Sequence, residues 1–157
     1  MTYAWGTAFC TIVAAVASVY PHTLSYFNEL VGGPRHGSEY LVDSNIDWGQ
    51  DLFYLRQWQQ SHPGTTPFGL AYFGLVRPEV ANINYTLPPR AESRADPESM
   101  KEHVWLQAGW YAISVSLLRG RESRVDDGHG NVLWSDENSF RYFQRWEPTT
   151  QAGYSIY

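Results

Sequence analysis

Charge is what the N-terminal end of this chain lacks: no Asp, Glu, Lys or Arg precedes Glu29, although these residues make up 17% of the 157. Cysteine is almost missing as well. Cys10 stands alone, which excludes an intrachain disulfide and a thiolate metal cluster. Its apolar neighbours predict a buried, inert thiol. Basic residues are scarce, 11 against 16 acidic, and the net charge of −5 excludes the basic face that phosphate backbones require. No nucleic-acid partner is expected. The five histidines, at 22, 36, 62, 103 and 129, show no metal-ligand spacing, and there is no GxSxG elbow, P-loop or GxGxxG. No metal and no cofactor is assigned. Internal repeats and low-complexity tracts are also absent, and the length suits one domain with a single core. What is abundant is aromatic: seven Trp and eleven Tyr. Core packing accounts for most of these rings, with carbohydrate stacking or an interfacial surface as the other uses.

The uncharged run "YAWGTAFCTIVAAVASVY", residues 3–20, would rise about 27 Å as a helix, close to the roughly 30 Å of a bilayer's hydrocarbon. Tyr3, Trp5 and Tyr20 lie near its ends, where amphipathic rings favour the membrane interface. Pro21 stops it. Residues 1–21 therefore read as a membrane-type helix. Two other readings stay open. The small residues Ala14, Ala15, Ala17 and Ser18 also suit a helix packed in a core or against other helices. Ala15-Val16-Ala17 resembles a signal-peptide cleavage site, but the basic n-region is missing. No Lys or Arg flanks the start, so charge does not orient the helix.

Beyond it, residues 22–157 read as a soluble α/β domain. Leu24, Phe27, Leu30 and Val31 recur at helical spacing, and Gly32-Gly33-Pro34 ends that short helix. Residues 40–42 suggest a buried strand, residues 47–60 a helix, and "FGLAYFG" a second strand after the loop 62–67. That order has the size of a βαβ unit, which implies a parallel pair. Residues 77–94 suggest an irregular loop; the triplet Asn84-Tyr85-Thr86 matches a glycosylation acceptor, a pattern common by chance. Asp96-Pro97-Glu98 has the chemistry of a helix start. "GWYAISVSLLRG", residues 109–120, is the strongest strand by composition. Residues 126–131 suggest a turn, residues 135–138 the cap of a short helix, and "AGYSIY" a last strand. The expected architecture is a small three-layer sheet of about four strands with flanking helices, behind the N-terminal membrane-type helix.

Residues 40–58, "YLVDSNIDWGQDLFYLRQW", carry aspartates at 43, 47 and 51. An EF-hand would use Asp43, Asn45 and Asp47 as its first ligands. Trp48 then stands where glycine is needed and Tyr54 where a bidentate Glu is needed, so that loop is excluded. Two readings remain. Asp43, Ser44, Asn45, Asp47 and Asp51 are candidate ligand-binding residues for a cation or sugar hydroxyls at a strand's carboxyl end. Alternatively, Asp43 and Asn45 satisfy loop backbone, Asp47 caps the helix in a capping box with Gln50, and Asp51 complements the dipole.

Together, "PHTLSYFNELVGGP", "YLVDSNIDWGQDL", "GWYAISVSLLRG" and "AGYSIY" resemble the C-terminal part of bacterial membrane glycosyltransferases that use polyprenyl-phosphate sugars and are similar to protein O-mannosyltransferases. The likeness runs from about residue 5 to 157, and residues 43–52 are its most specific part. It implies that residues 3–20 form a last membrane helix and that the following domain lies on the extracytoplasmic, periplasmic side. Implied partners are the membrane, other membrane helices of a glycosyltransferase, and a carbohydrate or lipid-linked sugar. The family's catalytic carboxylate follows its first membrane helix, in a loop with no counterpart here. No catalytic residue is carried over, and the expected role is recognition or assembly.

Overall fold

The computed structural model describes residues 2–42, 46–91 and 105–157. Within them the chain is a mixed α/β protein. Among the described residues there are four α-helices: α1 (Thr2–Val19), α2 (Pro34–Gly37), α3 (Asp51–Ser61) and α4 (Val115–Leu118). There are four strands, β1 (Phe68–Ala71), β2 (Trp110–Ile113), β3 (Ser123–Asp126) and β4 (Val132–Ser135). They form two separate two-stranded sheets, β1 parallel to β2 and β3 antiparallel to β4. A single sheet of four strands was expected. The paired hairpin takes its place because residues 126–131, correctly read as a turn, fold β3 directly back onto β4.

The α1 run is helical as expected, and the membrane-type reading of it finds no support. No helix among the described residues is long and apolar enough to cross a membrane. α1 runs over 18 residues, Thr2–Val19, and rises about 27 Å. Within that stretch Gly6, Thr7, Thr11 and Ser18 further dilute the apolar content. Thr11 and Ser18 turn their hydroxyls back onto the helix, donating to the carbonyls of Thr7 and Ala15. Cys10 is exposed rather than buried, because α1 stands off the body of the protein. It packs on the 3-10 turn Thr23–Ser25, and Val19 is its buried contact.

The parallel pair was anticipated, but from the wrong strands. Residues 40–42 form no strand: the amides of Tyr40 and Leu41 both donate to the Gly37 carbonyl, continuing the turn of α2. Both side chains are exposed, so nothing holds them in a sheet. The short helix expected before Gly32 is likewise two 3-10 turns, Thr23–Ser25 and Glu29–Val31. β1 pairs instead with β2, Leu70 opposite Ala112 and Ala71 opposite Ile113. The strand expected over 109–120 ends at Ile113, and α4 follows. There the Ser114 carbonyl takes the Leu117 and Leu118 amides, while its hydroxyl accepts the Phe73 amide. The expected last strand is a tight turn: Ala152 and Ile156 bond each other's backbone, and Tyr157 pairs with Ile113. After the Asp136 cap, the helix expected through residue 143 is a 3-10 turn, Arg141–Arg145. The helix start at 96–98 lies outside the described residues.

Both faces of β1 and of the second half of β2 are covered, which is why those stretches read as continuous apolar runs. Phe68, Leu70 and Ala112 face α3 through Leu52 and Leu55, closed by Ile83 and Ile156. Ala71 and Ile113 face the other way, onto Leu117, Val125 and Phe140. The second cluster joins the two sheets. The C-terminal turn lies along the end of β2 and beside the start of α3, and that neighbourhood gathers the polar residues described next.

Candidate functional site

Residues 46–51 enter α3 through a turn that only glycine fits at position 49. Gly49 has φ +120°, and a Cβ there would lie 2.6 Å from Val76 Cγ2. The turn puts Asp47 and Asp51 on the inner side. Asp47 Oδ1 accepts the Gly49 amide at 2.8 Å and the Asp51 amide at 3.4 Å. Asp47 was expected to be the N-cap, but α3 begins at Asp51 and Gln50 stands at its N-cap; Asp47 instead holds the turn that precedes the helix. The reciprocal half of the capping box is different. Gln50 Oε1 accepts the Trp48 amide and Nε2 donates to the Ile46 carbonyl.

The remaining oxygens reach far along the chain. Asp47 Oδ2 accepts the Tyr72 and Ser155 hydroxyls, each at 2.8 Å. Asp51 Oδ2 accepts the backbone amides of Tyr154 and Ser155 at 2.8 and 2.9 Å. Gly153 makes this approach possible: its φ is +62°, and a Cβ would sit 2.1 Å from Asp51 Cγ. Asp51 Oδ1 faces His22 Nδ1 at 3.6 Å, within ion-pair reach but beyond a hydrogen bond. Both atoms are buried and otherwise without a hydrogen-bond partner. The His22 ring lies between Tyr54 and Tyr154, with centroids 4.4 and 4.9 Å away. Ser25 donates to the Ile46 carbonyl at 2.6 Å, tying the turn below α1 to this site.

Electrostatics follow from the enclosure. Burial raises the Asp51 carboxyl above the usual aspartate range, the Asp47 charge raises it further, and hydrogen bonds from Ser155 and Tyr154 oppose both. Burial, then Asp47, lifts the Tyr72 hydroxyl well above its ordinary range, so it remains a neutral donor. Asp51 is fully buried and Asp47 nearly so. Three of their four oxygens are engaged by the fold's own donors, in a clasp of segments 22–25, 46–51, 72 and 153–155. No group of three or more His, Cys, Asp or Glu among the described residues is placed to hold a metal ion. Of the five candidate ligand residues, the structure brings Asp47 and Asp51 together. Asp43, Ser44 and Asn45 lie outside the described residues.

A second feature is open to solvent. A groove of about 840 Å³ runs beside the β1–β2 pair, with Trp58, Trp110 and Trp146 in its walls. The indoles are held by neighbours: Trp58 meets Trp110 edge-on at 5.1 Å and stacks on His62 at 4.6 Å. The Arg145 guanidinium lies 3.9 Å from the Trp146 ring centroid.

The chain matches no family model, no curated protein and no solved structure.

Sequence reasoning missed His22, Tyr72 and Ser155 as members of the clasp. Ser155 is 108 positions from Asp47, and no local pattern announces such a pairing. The one available signal was Gly153 in "AGYSIY": glycine before two polar-tipped residues permits a left-handed turn with adjacent amides free for an anion.

Proposed function

We propose that this chain is a recognition and assembly module of a glycosyltransferase-like membrane protein, with its α/β body on the extracytoplasmic side and no active site of its own. The observation that carries the reading is the surface of α1. Trp5, Phe9, Ile12 and Val16 are each at least half exposed, Trp5 at 76%, and they recur at spacings of four and three. Such a stripe is the pattern by which one helix seats against another, and α1 offers it without a charged residue. The residues of the family resemblance fit a structural role. "IDWGQDL" and "AGYSIY" meet in the aspartate clasp, where they fasten the body rather than present a reactive group. In this reading α1 packs beside the apolar helices of its partner, and the clasp sets how α1 leaves the body through His22 and Ser25.

The test compares the whole chain with a chain carrying Phe9→Asp and Ile12→Asp. The unsubstituted protein is expected to associate or to require detergent. The substituted one should be monodisperse in water, with the same far-ultraviolet spectrum. A whole chain that is monomeric in water without detergent would overturn the assembly role of α1.

A further inference from the structure

We infer that the groove beside β1 and β2 is a binding site for a neutral oligosaccharide. The argument begins with the indoles. Trp110 and Trp146 are 41% and 46% exposed at the groove, yet each is fixed by a ring or guanidinium partner. Exposed flat rings held in place are poor hydrophobic burial but good platforms. The C–H groups on one face of a pyranose carry partial positive charge and stack on the electron-rich face of an indole. Because neighbours already hold the rings, little conformational freedom is lost on binding.

The polar groups complete the case. Gln107, Gln144 and Thr149 line the same groove and are exposed. Amides and hydroxyls can both donate and accept, which matches the hydroxyls around a sugar ring. The charged lining residues are one of each sign, Arg119 and Glu147, so the groove offers no net charge to attract a phosphate or carboxylate. The chain's net charge of −5 also opposes anions. A purely apolar occupant would leave the Gln107 amide and the Thr149 hydroxyl without partners, whereas Gln144 Nε2 already donates to the Leu118 carbonyl. The volume falls within the range of ordinary ligand sites and suits a ligand longer than one ring. The inference goes beyond the assembly reading and does not depend on it, since α1 contributes nothing to the groove.

The experiment uses the whole chain in a zwitterionic detergent with no sugar headgroup. Chitotetraose and an α-linked mannotetraose are titrated while tryptophan fluorescence and heat are followed. Saturable binding of at least one is expected, with Kd on the order of 0.1–1 mM. Trp146→Ala and Gln107→Ala should each weaken it, Trp146→Ala by about tenfold or more. Trp134→Ala removes a more exposed indole on β4 outside the groove and should leave affinity unchanged. Gln107 is exposed, so its variant reads binding even where a tryptophan variant unfolds. Absence of saturable binding to either sugar at about 10 mM would overturn the proposal. So would binding that Trp146→Ala and Gln107→Ala leave intact, or saturable quenching by a brominated fatty acid in place of sugar, which would make the groove an alkyl-chain site. Failure here with a still-associating α1 stripe would refute the glycan site and leave the module reading standing.

Discussion

At the residue scale, the clasp concentrates strain and satisfaction in a few atoms. Gly153→Ala places a Cβ on the Asp51 carboxylate in a left-handed conformation that alanine dislikes. A loss of about 2–4 kcal/mol in urea unfolding is expected, from the combined strain and overpacking. Unchanged stability would mean that the C-terminal turn does not hold this approach. Tyr72→Phe is the milder probe. It removes one donor to Asp47 and should cost about 1–3 kcal/mol, the range for leaving a buried acceptor short. What was legible here was local. Asp47 as an acceptor near the helix start follows from its place before α3, although the N-cap itself is Gln50. The Tyr72 and Ser155 contacts depend on tertiary packing across distant segments, so no window of sequence could show them.

At the element scale, patterns held where local chemistry decided and failed where packing did. α1, α3, β1 and the 126–131 turn follow from periodicity, apolar runs and turn residues. The strand expected at 40–42 failed because an apolar tripeptide needs a partner edge, and the Gly37 carbonyl captured the Tyr40 and Leu41 amides first. Residues 115–118 were read as strand because Val, Ser and Leu sit comfortably in either state. The Ser114 carbonyl and the burial of Leu117 against Phe140 select the helical turn. Phe140 also tests whether the two small sheets share one core. It is fully buried between Ile113 of β2 and Val125 of β3. Phe140→Ala should lower stability by about 3–5 kcal/mol, the cost of an aromatic-sized cavity, and leave one cooperative unfolding transition. Two separately melting transitions, with β1–β2 unaffected, would show that the sheets are independent units.

At the scale of the whole molecule, the clasp links the exit of α1, the start of α3, the end of β1 and the C-terminal turn, so its protonation bears on global stability. Asp51 has a carboxyl raised by burial and by the neighbouring Asp47 charge, against the opposing hydrogen bonds of Ser155 and Tyr154. The folded protein therefore holds this proton more tightly than the unfolded chain does. In the window above the ordinary aspartate value of about 4, the folded state binds more protons, and stability falls as pH rises through the folded pKa. The contribution is fully present below the ordinary aspartate value and lost as pH rises through the folded pKa, the reverse of an aspartate held ionised by a salt bridge. Asp51→Asn retains an acceptor oxygen for the Tyr154 and Ser155 amides and removes the titration. The difference in unfolding free energy, wild type minus Asp51→Asn, should decline as pH rises above about 4 in urea melts. A difference that rises with pH would reverse the assignment. It would mean that the two amides and His22, 3.6 Å away, hold Asp51 as the carboxylate and outweigh its burial beside Asp47.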